Sequence, residues 1–384
     1  TKGPYSTCNE AIRSRSRQLN GGRNDFFLLG NPDYYYLTTG SSNINNSSTG
    51  AVGSLFSVFG KLDYSFKDRY LASFTIRRDG SSNFGEANKY GNFPAVSAGW
   101  RVSEEEFMKG VKWITDLKLR GGYGETGNQR IPPYNYMNRY ESSIANAAYA
   151  VGGGNGLTTG VRQNAYQNPD IKWEAVKSLN IGLDFALLKG RLSGSFEWYT
   201  RTTSDLLISQ SIPSVNGVTS ITVNSGAMKN TGVEITLSSV NIVPKSQNGF
   251  KWVTDFNITT NQNTITEIDP AYAGNANYLR NVGNDFYTHY QRGYAGVNPA
   301  NGEALWYRSA AKDSTTNAFT TALPRLQYGS ALPKFYGGLT NTFSYKNFKF
   351  SFQLYTFWGN TIYDDYGYLQ KTDANLGFSD QSNG

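Results

Sequence analysis

An all-β chain of antiparallel strands, each with one apolar and one polar face, is the architecture the sequence predicts. Three observations predict it. Apolar residues recur at every second position in stretches of about 10 residues, the length that crosses a bilayer when tilted. Short and long connections alternate between these stretches, as in transmembrane barrels. The composition is aromatic, glycine-rich and poor in charge. Among 384 residues there are 27 Tyr, 22 Phe, 7 Trp and 41 Gly, and 17% are charged, against about 25% in an ordinary soluble domain.

Residues 56–66 set the pattern. Phe56, Val58, Gly60, Leu62, Tyr64 and Phe66 share one face; Ser57, Lys61, Asp63 and Ser65 share the other. After Lys67-Asp68-Arg69 the alternation restarts, with Tyr70, Ala72, Phe74 and Ile76 opposed to Ser73, Thr75, Arg77 and Asp79. Pro94, Val96, Ala98 and Trp100 then oppose Ser97, Gly99 and Arg101, and Leu117, Leu119, Gly121 and Tyr123 oppose Lys118, Arg120 and Gly122. The same period marks strands through Ile181, Phe196, Ile235, Phe256, Leu339 and Phe352. Phe59, Leu71, Tyr199, Val253 and Phe357 are exceptions on the polar face, and Arg78 and Lys177 are exceptions on the apolar face.

Tight connections follow Phe66, Leu188 and Tyr345, and a somewhat longer one spans residues 241–249. Long connections cover residues 79–93, 126–170, 203–227 and 262–332. The segment SEEEFMKGVKWIT, residues 103–115, reads as a short helix on the short-turn side, with a Ser N-cap and an acidic first turn. Ordinary soluble domains rarely carry several loops of such length.

Several classes are excluded. No run of about 20 apolar residues offers a membrane helix, and the aromatic content opposes disorder. One cysteine, Cys8, makes no disulfide framework, and one histidine, His289, leaves no His/Cys zinc cluster. The net charge of +7 gives little support to nucleic-acid binding, because the strand charges fall on the polar face. There Lys61, Asp63, Arg77, Arg101, Lys118, Arg120, Glu197, Glu234 and Asp255 would line a lumen.

Local motifs carry little chemistry. Residues 122–127 fit G-x-G-x-x-G, but Ile131-Pro132-Pro133 opposes the helix a dinucleotide site needs. Asp79-x-Ser81-x-Asn83 resembles the start of a calcium loop, yet Phe84 stands where its glycine belongs and Gly91 where its glutamate belongs. Calcium is therefore weakly supported, and no cofactor is expected. Glu104, Glu105 and Glu106 are consecutive, so on a helix they do not face one another as a catalytic pair would. No enzymatic arrangement is legible. His289 reads as a solvated loop residue and Cys8 as incidental. Loop aromatics are the candidate ligand contacts: Tyr34, Tyr35, Tyr36, Tyr134, Tyr136, Tyr287, Tyr290, Trp306 and Tyr307 could stack on sugars or grip peptide, or simply pack loops together. Trp100, Trp173, Trp252 and Trp358 read as interface aromatics at strand ends on the apolar face.

FGKLDYSFKDRYLASFTIRRDGSSNFG (residues 59–85), FPAVSAGWRVSEEEF (93–107) and DLKLRGGYGETGNQ (116–129) resemble the SusC/RagA family of TonB-dependent outer-membrane importers of Bacteroidetes. NPDIKWE (168–174), KNTGVEI (229–235), GYAGVNPANGEALWY (293–307) and LPKFYGGLTNTFSYKNFKFSFQL (332–354) follow in family order. The resemblance implies about ten strands of a 22-stranded plugged barrel, with short periplasmic turns and long extracellular loops. It divides the chain into a loop region 1–52, a barrel segment 53–360 and a further extracellular loop 361–384. It implies a multi-pass protein of the outer membrane, in contact with its lipid. Oligosaccharide or peptide would be imported with a SusD-like lipoprotein and with TonB acting through a plug, and a homodimer is possible. The family's plug and TonB box match none of these residues, so the chain reads as a mid-to-late slice of the barrel. The alternatives are a soluble secreted carbohydrate-binding β-protein and a SusC-like barrel used as a structural or docking component.

Overall fold

The computed structural model describes residues 5–20, 49–142, 147–150, 157–213, 217–244, 246, 249–269, 278–322 and 326–362. Its long strands are β1 (Tyr5–Asn20), β2 (Thr49–Phe66), β3 (Tyr70–Ser81), β4 (Tyr90–Arg101), β5 (Ile114–Asn128), β6 (Glu174–Leu187), β7 (Leu192–Ser204), β8 (Ala227–Ile242), β9 (Lys251–Glu267), β10 (Phe335–Tyr345) and β11 (Phe348–Trp358). Two compact units divide them. The first holds β1 to β7 and the second most of β8 to β11, and within each the strands lie side by side in chain order. Their pairings are antiparallel, and no closed sheet occurs among the described residues. β1 is a strand that the alternation of apolar residues did not reveal. Its partner is β2, with Tyr5 opposite Asp63.

The cross-strand register confirms the two faces. Directly opposed residues share a face. Leu62 lies opposite Phe74, Phe74 opposite Val96, and Val96 opposite Tyr123. Tyr123 in turn lies opposite Leu179, while Ile181 lies between Gly121 and Trp198. In the second unit Phe256 opposes Leu339, which opposes Leu354. Large side chains of this face are exposed, among them Phe74, Val96 and Ile181. Contiguous exposed apolar surface on this scale is foreign to a soluble monomer. Arg78, an exception on this face, places its guanidinium 4.9 Å from the Tyr90 ring centroid, and Lys177 reaches Glu125 at 3.9 Å.

The short turns form without glycine at their first positions. Lys67 and Asp68 take φ of 52° and 53°, and Leu188 and Lys189 take 52° and 59°. Such left-handed pairs match the twist of hairpin strands. Residues 103–115 do not form the expected α-helix. They make two 3₁₀ turns, Val102–Glu104 and Glu106–Met108, interrupted at the extended Glu105. Ser103 is no cap either; its Oγ donates to Asp116 at 3.0 Å.

The long connections are shorter than expected at their roots, because β3 runs on to Ser81 and β4 already starts at Tyr90. A small apolar core, Phe84, Phe93, Ile171 and Trp173, closes this end of the first unit, with Ile131, Tyr136 and Leu207 packed against it. Trp173 is thus a buried loop residue and not an interface aromatic, and its Nε1 donates to the Lys89 carbonyl at 3.3 Å. The glycine motif has the same explanation. Residues 122–127 lie within β5, and a Cβ on Gly127 would collide with the Phe93 ring and lie 2.8 Å from Trp173.

Candidate functional site on the polar face and loops

The polar face of β2 to β6 bounds a concave space of about 1220 Å³. Its floor is made of small side chains, Ser73, Ala95, Ser97, Gly122 and Ser178 among them, which the register sets in neighbouring rows. Leu71, an exception to the alternation, also lines it.

Charge is gathered toward the short-turn end. Arg120 lies across Gly182, whose Cβ would come within 2.7 Å of the guanidinium carbon. That missing side chain lets Arg120 reach two strands. Its Nε lies 3.1 Å from Asp184, and its Nη1 lies 2.5 Å from Glu197. Asn180 Nδ2 donates to the same Glu197. Lys118, opposite both Arg101 and Asp184, adds a second cation to the row. Elsewhere on this face Lys61 pairs with Asp63 at 2.9 Å, and Arg101, opposite Lys118, lies 3.5 Å from Glu104. Arg77 pairs with Asp79 at 2.6 Å and donates to Ser57. In the second unit Asp255 accepts from Ser238 Oγ at 2.7 Å, and Glu234 is exposed on β8. Sequence reasoning named Arg120 and Glu197 but omitted Asp184 and Asn180, whose roles depend on cross-strand register.

The calcium-like residues form a hydrogen-bonded loop root. Asp79 is held by Arg77, Ser81 Oγ bonds Gln129, and Asn83 Nδ2 donates to the Gln129 carbonyl. Among the described residues no group of three or more His, Cys, Asp or Glu is arranged to hold a metal.

Tyr287, Tyr290, Trp306 and Tyr307 fall in one folded loop body between β9 and β10. It contains small pairings of Thr288–Gln291 with Leu326–Ser330 and of Tyr294–Val297 with Ala304–Tyr307. Trp306 packs edge-on between Tyr294 and Phe319, at 5.6 and 4.9 Å. Lys312 lies 5.6 Å from the Tyr307 ring and 5.4 Å from Tyr328. Burial raises the Tyr328 phenol pKa, with Tyr307 adding to it. Tyr287 is the more exposed of the four candidates, at 42%, and touches Tyr278 and Phe286. His289 is not solvated as expected: it is buried, stacks near Tyr278, and its Nε2 contacts the Thr361 carbonyl at 3.0 Å. Tyr134 fixes the start of β2, accepting from the Val52 amide at 3.0 Å. Tyr34, Tyr35 and Tyr36 lie outside the described residues.

At the short-turn end Glu105 ties three elements together. It accepts from the Tyr70 hydroxyl at 2.6 Å, from Trp100 Nε1 at 3.0 Å and from Arg69 at 3.2 Å. The Tyr70 hydroxyl, then the Trp100 indole, hold its carboxyl below the usual glutamate pKa.

Residues 10–322 match the family described as TonB dependent receptor-like, beta-barrel. The chain is also 35% identical over 332 residues to the TonB-dependent receptor SusC of Bacteroides thetaiotaomicron, covering 81% of this chain and 32% of SusC. The chain belongs to the SusC/RagA family of TonB-dependent receptors. TonB-dependent receptor P3 of Formosa agariphila is 33% identical over 343 residues, covering 84% of this chain and 33% of P3. Among solved structures, the RagAB peptide transporter superposes with a TM-score of 0.71 at 26% identity, over 85% of this chain and 36% of that one. The closed-closed state of the RagAB peptide importer, at 24% identity, shares the fold with a TM-score of 0.74 over 93% of this chain and 40% of that one. This chain therefore spans about a third of the curated relatives it matches. SusC/RagA membership places it among proteins of the outer membrane. The apolar face of the strands is exposed in both units.

Proposed function

We propose that this chain is the wall and loop segment of an importer that takes up oligosaccharides or peptides through a 22-stranded barrel. The two-faced sheet in a SusC/RagA chain is the observation that carries the reading. The polar face would line the lumen and meet a plug through Lys61, Asp63, Arg77, Arg101, Lys118, Arg120, Glu197, Glu234 and Asp255. Short turns would face the periplasm. The long connections, with residues 361–384, would face outside, where Tyr287, Tyr290, Trp306 and Tyr307 meet cargo or a SusD-like lid. TonB, acting on the plug, would open the route, and two such barrels could pair. A soluble carbohydrate-binding module is disfavoured by the exposed apolar face.

The test is uptake by cells carrying the complete protein. Labelled oligosaccharide or peptide should enter in a TonB-dependent way and fail to enter when the gene is deleted. Uptake that is unchanged by the deletion, in a protein still required for a surface complex, would replace import with a docking role.

A further inference from the structure

We infer that Arg78, with Tyr90 and Asn92, forms a site for the phosphate of a lipid headgroup at the long-loop end of the apolar face. This rests on the import reading, which turns that face toward lipid. Arg78 and Lys177 both interrupt the face, and the structure treats them differently. Lys177 lies opposite Glu125 and 3.9 Å from its carboxylate. Arg78 pairs with no carboxylate among the described residues. Asp79, next in the chain, belongs to the other face and is held there by Arg77. Nor is Arg78 a residue of a sheet edge, because β3 runs between β2 and β4. Its neighbours across the strands are Val58 and Asn92. An exposed cation among apolar residues, without an anion of its own chain, lacks its partner.

The side chain is held toward the strand end. Tyr90 lies opposite Gly80, two positions beyond Arg78, and the Arg78 guanidinium sits 4.9 Å from its ring centroid. Gly80 makes this possible, since a Cβ there would come within 2.5 Å of the Tyr90 ring. Without that side chain the ring lies across β3 beside the guanidinium. Contact with a ring uses one face of the guanidinium and leaves its edge of N–H donors free. That edge matches two oxygens of a phosphate. Asn92, exposed and directly opposite Arg78, adds a carboxamide donor. Depth argues that the phosphate belongs to a lipid. Tyr70 and Trp100, opposite one another, mark the short-turn end of the same face. Arg78 follows Tyr70 by eight residues in β3. With a rise of about 3.4 Å per residue and a tilt near 40°, that is roughly 21 Å along the membrane normal. The apolar band is ~25 Å tall, so the guanidinium stands at its far boundary, where headgroups lie. Toward the midplane Ile76, Phe74 and Val96 continue the exposed apolar wall. Acyl chains need such a wall beneath the cation, and a soluble anion does not.

The experiment uses the complete protein, delipidated in non-ionic detergent and titrated with dioleoylphosphatidylglycerol, with bound lipid counted by native mass spectrometry. Dioleoylglycerol, which lacks the phosphate, and inorganic phosphate are titrated in parallel. Phosphatidylglycerol should bind more tightly than either. Arg78→Gln should weaken it about tenfold. Gly80→Ala, which displaces the Tyr90 ring without changing charge, and Tyr90→Leu should each weaken it about threefold. Lys177→Gln removes the same charge from the same face and should leave the affinity within about twofold. Heat-modifiable gel mobility confirms that each variant is an assembled barrel. Equal losses in Arg78→Gln and Lys177→Gln would mean that charge alone attracts the lipid, and would overturn the site. So would phosphatidylglycerol bound equally well by Arg78→Gln, or not bound at all. Dioleoylglycerol bound as tightly would remove the phosphate from the inference, and inorganic phosphate bound as tightly would remove the lipid; either overturns it. Ile181→Arg reads the face independently in a folding titration. If it destabilises the barrel, a failure at Arg78 leaves the import reading standing; if it is harmless, the face assignment and the import reading fall with the site.

Discussion

Replacing Ile181 by arginine tests the assignment of faces most directly. Ile181 is 53% exposed and lies near the middle of β6, Glu174–Leu187. With a rise of about 3.4 Å per residue and a tilt near 40°, it sits roughly 16 Å from either end of the strand, close to the midplane of a ~25 Å apolar band. Its neighbours across the strands, Gly121 and Trp198, offer no carboxylate. An arginine there should cost about 2–4 kcal/mol of barrel stability. The adjacent Asn180 points to the other face, next to Glu197. There an introduced guanidinium would share the Glu197 carboxylate with Arg120 in a water-accessible space, and the cost should stay below about 1 kcal/mol. The assay is a urea folding titration of the complete protein in lipid vesicles, comparing Ile181→Arg with Asn180→Arg. Equal destabilisation by the two substitutions would refute the register on which every statement about the faces depends.

Other outcomes follow from the same contacts. Arg120→Ala and Glu197→Ala should be non-additive in a double-mutant cycle by about 1 kcal/mol, since each removes the same contact; additivity would mean that the close contact contributes nothing. Trp173→Ala should loosen the small core by about 3–5 kcal/mol and speed proteolysis within residues 129–173, while the wall stays assembled. Glu105 has a folded pKa below its ordinary 4.5, so its contribution is present above that value and is lost as pH falls through the folded pKa. Trp100 fluorescence should therefore change on acidification, and Glu105→Gln should remove that change. Deleting residues 268–332 should weaken binding of cargo or lipoprotein and leave the heat-modifiable barrel intact; loss of the barrel would show that this loop body is part of the wall.

The strands and their faces were legible because burial on one side alone imposes a period of two. The pairs Leu62–Phe74 and Leu119–Leu183 recover in space the parity read along the chain. β1 was not legible, since Ser, Thr, Asn and Arg interrupt its alternation: CNEAIRSRSRQLN has few apolar positions to count. Residues 103–115 misled because an acidic run after serine carries the local signal of a helix start. The tertiary demand of Tyr70, Trp100 and Arg69 on one carboxylate holds Glu105 extended instead. Trp173 and His289 misled for a related reason. Loop position suggested solvent or interface, yet these long loops build small cores of their own.

What the sequence hides most completely is the relation between strands, and the polar face is made of such relations. Arg120 and Asp184 are 64 positions apart, and Asn257 and Gly338 are 81 apart. In the first case a glycine decides the outcome: Gly182 admits a guanidinium between two carboxylates. Glycine ordinarily weakens a strand, so its presence there argues that the shape of the polar surface outweighs strand propensity. On the import reading the apolar face would need only apolar area toward lipid and would tolerate many side chains. The polar face is set by particular contacts, and that is where differences in cargo among such receptors would be written.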